Sequence, residues 1–147
     1  MERIAPPRAG AVIKYSYLWS REALRGATEA RKDRPAAIIM AVQESLTGDL
    51  HVIALPITSQ APVDLKIAVA IPPAVNERLG LDSKPSWVIC DEYNQFVWPS
   101  ADLKPIAHKQ HKDWEYGLLP QGIFGKVQKL VLALRKQRKL KRVVRTL

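Results

Sequence analysis

Arg34-Pro35-Ala36-Ala37-Ile38-Ile39-Met40-Ala41-Val42 and Leu50-His51-Val52-Ile53-Ala54-Leu55-Pro56-Ile57-Thr58-Ser59-Gln60 decide the fold, because between them stands Thr47-Gly48-Asp49. Two short apolar runs bounded by turn residues read as strands, and the turn residues make a hairpin their natural connection. The first strand is entered through Asp33-Arg34-Pro35 and the second is left through Pro56-Ile57-Thr58-Ser59. A hairpin brings those two ends together. It therefore predicts a guanidinium and a hydroxyl at the same end of one sheet, two of the groups that a phosphodiester site needs.

Working outward, Gly10 precedes Ala11-Val12-Ile13-Lys14-Tyr15-Ser16-Tyr17, whose β-branched and aromatic content predicts a first strand. Leu18 to Asp33 is charged and small and reads as a long loop, a feature that in compact domains tends to be functional or mobile. Val63 to Ile71 reads as a strand. Pro73 to Leu79 reads as a short helical turn closed by Gly80, since proline suits a first turn and glycine a helix end. Ser86 to Val97 is either one bent strand or a second hairpin. At the C-terminal end Ile123, Val127, Leu130, Val131 and Leu134 recur at helical spacing, with Lys126, Lys129 and Arg135 off that stripe, which predicts an amphipathic helix packed on the sheet. The expected class is mainly β with α (α+β), a strongly bent sheet or partly open barrel with a closing helix.

The 147 residues, 47% of them hydrophobic, suffice for one core and are too few for two independent domains. The expected division is an N-terminal extension over residues 1–9, one domain over 10–136 and a basic tail over 137–147. No apolar run approaches the ~18 residues of a membrane span, and Met1-Glu2-Arg3-Ile4-Ala5-Pro6-Pro7 lacks the apolar centre of a signal peptide, so a cytoplasmic location is expected. The single Cys90, within Trp87-Val88-Ile89-Cys90, reads as a buried, inert thiol. The net charge of +9 arises from Lys126 onward, where nine basic residues stand with no acidic one. Such a block suits nucleic acid or an acidic protein, and equally a solvated tail.

Gly10-Ala11-Val12-Ile13, then Glu29 and Arg34-Pro35-Ala36-Ala37-Ile38-Ile39, then Leu55-Pro56-Ile57-Thr58-Ser59, resemble in their order the MazF/PemK family of type II toxin–antitoxin ribonucleases. The resemblance covers roughly residues 10 to 60 and continues in the terminal helix. It implies an SH3-like barrel, a homodimer with sites near the dimer groove, metal-independent cleavage of single-stranded RNA without a cofactor, and a neutralising antitoxin. The chain carries Ala11 where the family commonly has an acidic residue, and its loop before Arg34 is longer than usual.

Metal-free RNA cleavage needs a base for the ribose 2′-OH, donors for the charge on five-coordinate phosphorus, and an acid for the leaving 5′-oxygen. Arg34 suits the second task because its planar fork can hold two phosphate oxygens at once, although it can also pair with Glu29 or Asp33 at the surface. Thr58 is a donor to a non-bridging oxygen or a turn residue. Glu29, at the acidic position of the family pattern, is the expected general base. Ser59 and Gln60 are expected contacts to phosphate or ribose, and Trp19, Arg25 and Lys32 (beside Arg21 and Arg31) a stacking ring with phosphate-binding cations, or a lid pinned by one aromatic anchor. Trp87, Trp98 and Trp114 read as core or interface. His108 and His111 are spaced like part of a metal site but lack a firm third ligand, so a solvated loop is expected and no metal. A catalytically silent nucleic-acid or protein-binding module on the same barrel is the second reading. A gyrase-inhibiting toxin of the CcdB type is a third, with no specific support.

Overall fold

The computed structural model describes residues 6–30, 32–81, 84–106 and 114–145. Arg31, His108 and His111 lie outside them. Among the described residues the chain forms one eight-stranded sheet, mostly antiparallel, curled into a half-barrel with three helices.

The predicted hairpin is its spine. β2 (Arg34–Gln43) pairs antiparallel with β3 (Leu50–Thr58), and the register Ala36↔Pro56 slips by one between Ile38 and Met40, which marks a β-bulge at Ile39. β1 (Ala11–Tyr15) pairs with the start of β2, Tyr15 opposite Arg34. Gly10 leads into this strand, its φ of 88° favouring glycine and its missing Cβ pointing at the Phe124 ring at 3.5 Å.

β1, the first half of β2 and much of β3 read as unbroken apolar runs because both faces are buried there, whereas Met40, Ala41, Val42 and Gln43 at the turn end of β2 are exposed. Ile13, Tyr15, Ala36, Ile38, Val52 and Ala54 face the inside of the curl with Phe96, Trp98 and Trp114. Val12, Ala37, Leu55 and Ile57 form a second core with Val127 and Leu134. Those last two lie on α3 (Gln121–Lys136), the expected terminal helix. Each fully buried aliphatic side chain there contributes about 1.5–3 kcal/mol.

The segment read as one bent strand or a hairpin divides into β5 (Ser86–Ile89) and β6 (Glu92–Trp98), which do not pair with each other. Both lie on the same side of β3, β5 on Ile57–Thr58 and β6 on Leu50–Ala54, so the bent strand, interrupted at Cys90-Asp91, is the arrangement found. Cys90 is fully buried, and burial pushes its thiol up to about 12. Trp98 and Trp114 join the inner core as expected, and Trp87 packs partly buried against it.

Five expectations need correction. The strand expected over Val63–Ile71 is shorter: Leu65–Ile67 is a 3-10 turn and only β4 (Ala68–Ile71) pairs, with β5. The long loop holds a five-residue helix, α1 (Ser20–Leu24). A short strand unseen in the sequence, β7 (Glu115–Leu118), covers β1. The first strand stops at Tyr15 instead of Tyr17. The segment read as a basic tail contains β8 (Lys141–Val144), which runs parallel to β6, and ends on a buried Arg145. The helical turn expected at Pro73 is α2 (Pro73–Arg78), followed by Gly80 at a φ of 78°. Among the described residues no helix is long and apolar enough to cross a membrane.

Candidate functional site

Extending the β2–β3 register by two residues beyond Ala36↔Pro56 brings Arg34 level with Thr58. Side chains alternate along strands, so both project to the same side. They open onto a cleft of about 970 Å³ whose lining also includes Ser59, Gln60, Trp19, Arg25 and Lys32. Seven of the eight residues singled out from the sequence thus meet in one place. Glu29 is exposed and does not line the cleft.

Arg34 is half-buried at the mouth of β2. Its guanidinium carbon lies 4.9 Å from the Trp19 ring centroid, a cation–π distance. Its Nε is buried with no hydrogen-bond partner among the described residues. Burial lowers its pKa from the ordinary arginine value, and the nearby Glu22 carboxylate works against that shift. The charged, planar fork of this half-buried side chain, lining the cleft, suits an anion.

Trp19 differs from its expected use as a stacking platform. It is only 8% exposed, belongs to the inner core, meets Tyr17 edge-to-face at 5.3 Å, and carries Arg21 at 4.7 Å besides Arg34. Little ring surface remains for a base. This is the other alternative, an aromatic anchor for the segment over the barrel.

Two polar side chains of β6 hold that segment. Asn94 accepts from the Leu18 N–H at 2.9 Å and donates to the Leu18 carbonyl at 2.7 Å. Glu92 accepts from the Ser20 N–H at 2.8 Å, the Ser20 hydroxyl at 3.1 Å and the Tyr17 hydroxyl at 3.1 Å. Burial, together with Glu92, raises the Tyr17 pKa well above the usual phenol value, so the phenol stays a donor. Glu22 caps α1 by accepting from the Trp19 N–H at 3.2 Å. At the far end of the loop, Asp33 accepts from the Ser16 hydroxyl.

Thr58 accepts from the Gln60 N–H at 3.1 Å, the local turn bond that threonines often make at strand ends. That bond uses an oxygen lone pair and leaves the hydroxyl hydrogen to donate to a ligand. Ser59 and Gln60 are exposed beside it.

The sequence reading missed Glu22 and gave Asp33 only a pairing role, yet both carboxylates line the cleft. The signal for Glu22 was a capping pattern, weak because Trp19 stands where Ser, Thr, Asp or Asn usually caps. Among the described residues one group could gather a metal ion, Glu44, Asp49 and His51, at the turn end of the β2–β3 hairpin and remote from Arg34. Within it His51 already bonds Glu44 at 3.0 Å, and the neighbouring Thr47 hydroxyl donates to Glu44 at 3.1 Å.

A search of curated proteins and a search of solved structures each returned no match. A family model described as the PemK-like, MazF-like toxin of type II toxin–antitoxin systems matches residues 20–114, which include both strands of the hairpin and the whole Arg34–Thr58 end of the cleft. With that match over most of the chain, on a curled half-barrel closed by a C-terminal helix, the protein belongs to the PemK-like, MazF-like toxin family of type II toxin–antitoxin systems.

Proposed function

We propose that this toxin is a metal-independent endoribonuclease that cuts single-stranded RNA and so inhibits growth, acting in the cytoplasm as a homodimer until a cognate antitoxin protein binds it. The observation that carries the reading is the meeting of Arg34 and Thr58 at one end of the β2–β3 hairpin, in a cleft that also holds Arg25 and Lys32. Lysine and arginine at the rim attract the RNA backbone, and Ser59 and Gln60 contact phosphate or ribose.

In this mechanism a carboxylate takes the 2′-OH proton and the 2′-oxygen attacks phosphorus. The bond from phosphorus to the 5′-oxygen breaks, leaving a 2′,3′-cyclic phosphate, and the 5′-oxygen takes a proton from water to become a 5′-hydroxyl while the protonated carboxylate returns its proton to solvent. Arg34 holds the non-bridging oxygens as charge builds on them, and Thr58 donates a further hydrogen bond. Glu22 is the better-placed base, because it lines the cleft and acts electrostatically on Arg34, whereas Glu29 stands outside the lining. Trp19 serves by packing on the Arg34 guanidinium.

The test is incubation of the purified protein, in EDTA, with a long single-stranded RNA, and mapping of the cut ends beside Arg34→Ala and Thr58→Val. Sequence-specific cuts with 2′,3′-cyclic ends are expected from the wild type. Thr58→Val should slow them about 10²–10³-fold and Arg34→Ala should slow them at least as much. Glu22→Gln should fall similarly while Glu29→Gln stays near wild type. Salt-sensitive RNA binding without cleavage by the folded wild type would make the protein a binding module instead.

A further inference from the structure

Arg145, counted from sequence among the tail's solvated cations, is nearly buried, its side chain 5% exposed. The parallel register of β8 on β6 sets its place, and its own N–H bonds to the Gln95 carbonyl at 2.8 Å. From there the guanidinium reaches across to the point where β1 leaves the sheet. One nitrogen donates to the Ser16 carbonyl at 2.6 Å, to the Asn94 side-chain oxygen at 3.2 Å and to the Tyr15 hydroxyl at 3.3 Å. The other donates to Asp102 at 3.0 Å.

These acceptors connect directly to the cleft. The Asn94 oxygen that takes Arg145 also takes the Leu18 N–H, and the residue after Leu18 is Trp19, whose ring packs on Arg34. Ser16, whose carbonyl Arg145 holds, gives its hydroxyl to Asp33, the residue before Arg34. Arg145 thus secures the start of the segment over the cleft, and the Ser16–Asp33 bond ties that start to its end.

We propose that Arg145 is a positioning residue for the cleft: it fixes Ser16 to Trp19, and through them the placement of Arg34. Both Ser16 and Arg145 lie outside the residues that the family model matches. The effect on cleavage rests on the proposed ribonuclease reading, while the effect on side-chain placement does not.

The experiment uses the ¹⁵N-labelled full-length protein with Arg145→Met and Arg145→Lys, each examined well below its unfolding midpoint. Lysine keeps the charge for Asp102 but lacks the fork that reaches Ser16 and Asn94 as well. The Trp19 indole N–H resonance, assigned by its loss in Trp19→Phe, is expected to shift in both variants while the amide resonances of the Glu44–Asp49 turn stay in place. For cleavage, kcat should fall about 10–100-fold with KM nearly unchanged, as small misplacements of a catalytic group do. The double variant Arg145→Lys/Trp19→Leu should be no slower than the slower single variant. An unmoved Trp19 resonance in a folded Arg145→Lys protein, or losses that simply multiply in the double variant, overturns the proposal. If Arg145→Met does not fold, Arg145→Lys decides. If the wild type cuts no RNA, the ribonuclease reading fails and the Trp19 resonance alone judges this one.

Discussion

Arg34 and Arg145 show how differently one residue type can be housed in the same molecule. Arg145 directly follows the C-terminal strand β8, with four acceptors around its guanidinium, one of them a carboxylate. Arg34 lies at the mouth of the cleft with its Nε buried and unbonded among the described residues, and its face on an indole. Buried polar groups are nearly always satisfied, so the first arrangement is what stability requires and the second departs from it. Such departures from local rules gather at functional sites. The two regions also differ in construction. Arg145 and its partners hold the start of the segment, whereas Arg34 rests on the Trp19 ring that the segment carries.

The contrast can be broken by experiment. The largest effect on stability is expected from Arg145→Ala, which leaves the Asp102 carboxylate without its ion-pair partner in a partly buried place and costs about 3–5 kcal/mol. In a chain of this size that lowers the thermal midpoint by very roughly 10 °C. Arg34→Ala, with no such network to lose, should move the midpoint by less than about 1 kcal/mol equivalent while removing cleavage. If Arg34→Ala were the more destabilising of the two, the division between a structural and a functional arginine would collapse.

A smaller effect sharpens the same comparison. Asn94→Leu removes the amide that pairs with both the N–H and the carbonyl of Leu18, and should cost about 1–3 kcal/mol by leaving those groups unsatisfied. Chemical denaturation measures this, and hydrogen exchange should then speed up at Leu18 and Ser20 more than in β2. The smallest effect is expected at Cys90. With its thiol buried and its pKa pushed up to about 12, it should resist iodoacetamide at neutral pH until denaturant is added. Rapid labelling of the folded protein would show that the bend between β5 and β6 opens easily.

Some of this architecture was readable in the chain because its causes are local. The β2–β3 hairpin follows from two apolar runs around Thr47-Gly48-Asp49, and α2 from Pro73 and Gly80 at its two ends. The amphipathic stripe of α3 buries Val127 and Leu134 as its spacing implied. Other elements left no such trace. In Lys141-Arg142-Val143-Val144 only Val143 is buried, so the strand β8 is disguised as a run of cations. β7 is four residues long and includes Gly117, and β5 and β6 take their separate identities from the two stretches of β3 that they pair with.

The candidate site divides in the same way. Arg34 and Thr58 could be placed together because a hairpin with alternating side chains fixes which residues meet at its open end. The sequence by itself therefore determined the spine of the sheet, the closing helix and the two groups at the head of the cleft. Only the tertiary structure decided that Glu22 lines the cleft where Glu29 does not, that Trp19 is packed beneath Arg34, and that Arg145 is a buried anchor. Periodicity and turn residues record what a segment does with its near neighbours. Whether a charged or aromatic side chain meets water, a ring or a carboxylate depends on residues far along the chain, and for Arg145 and Ser16 that separation is 129 positions.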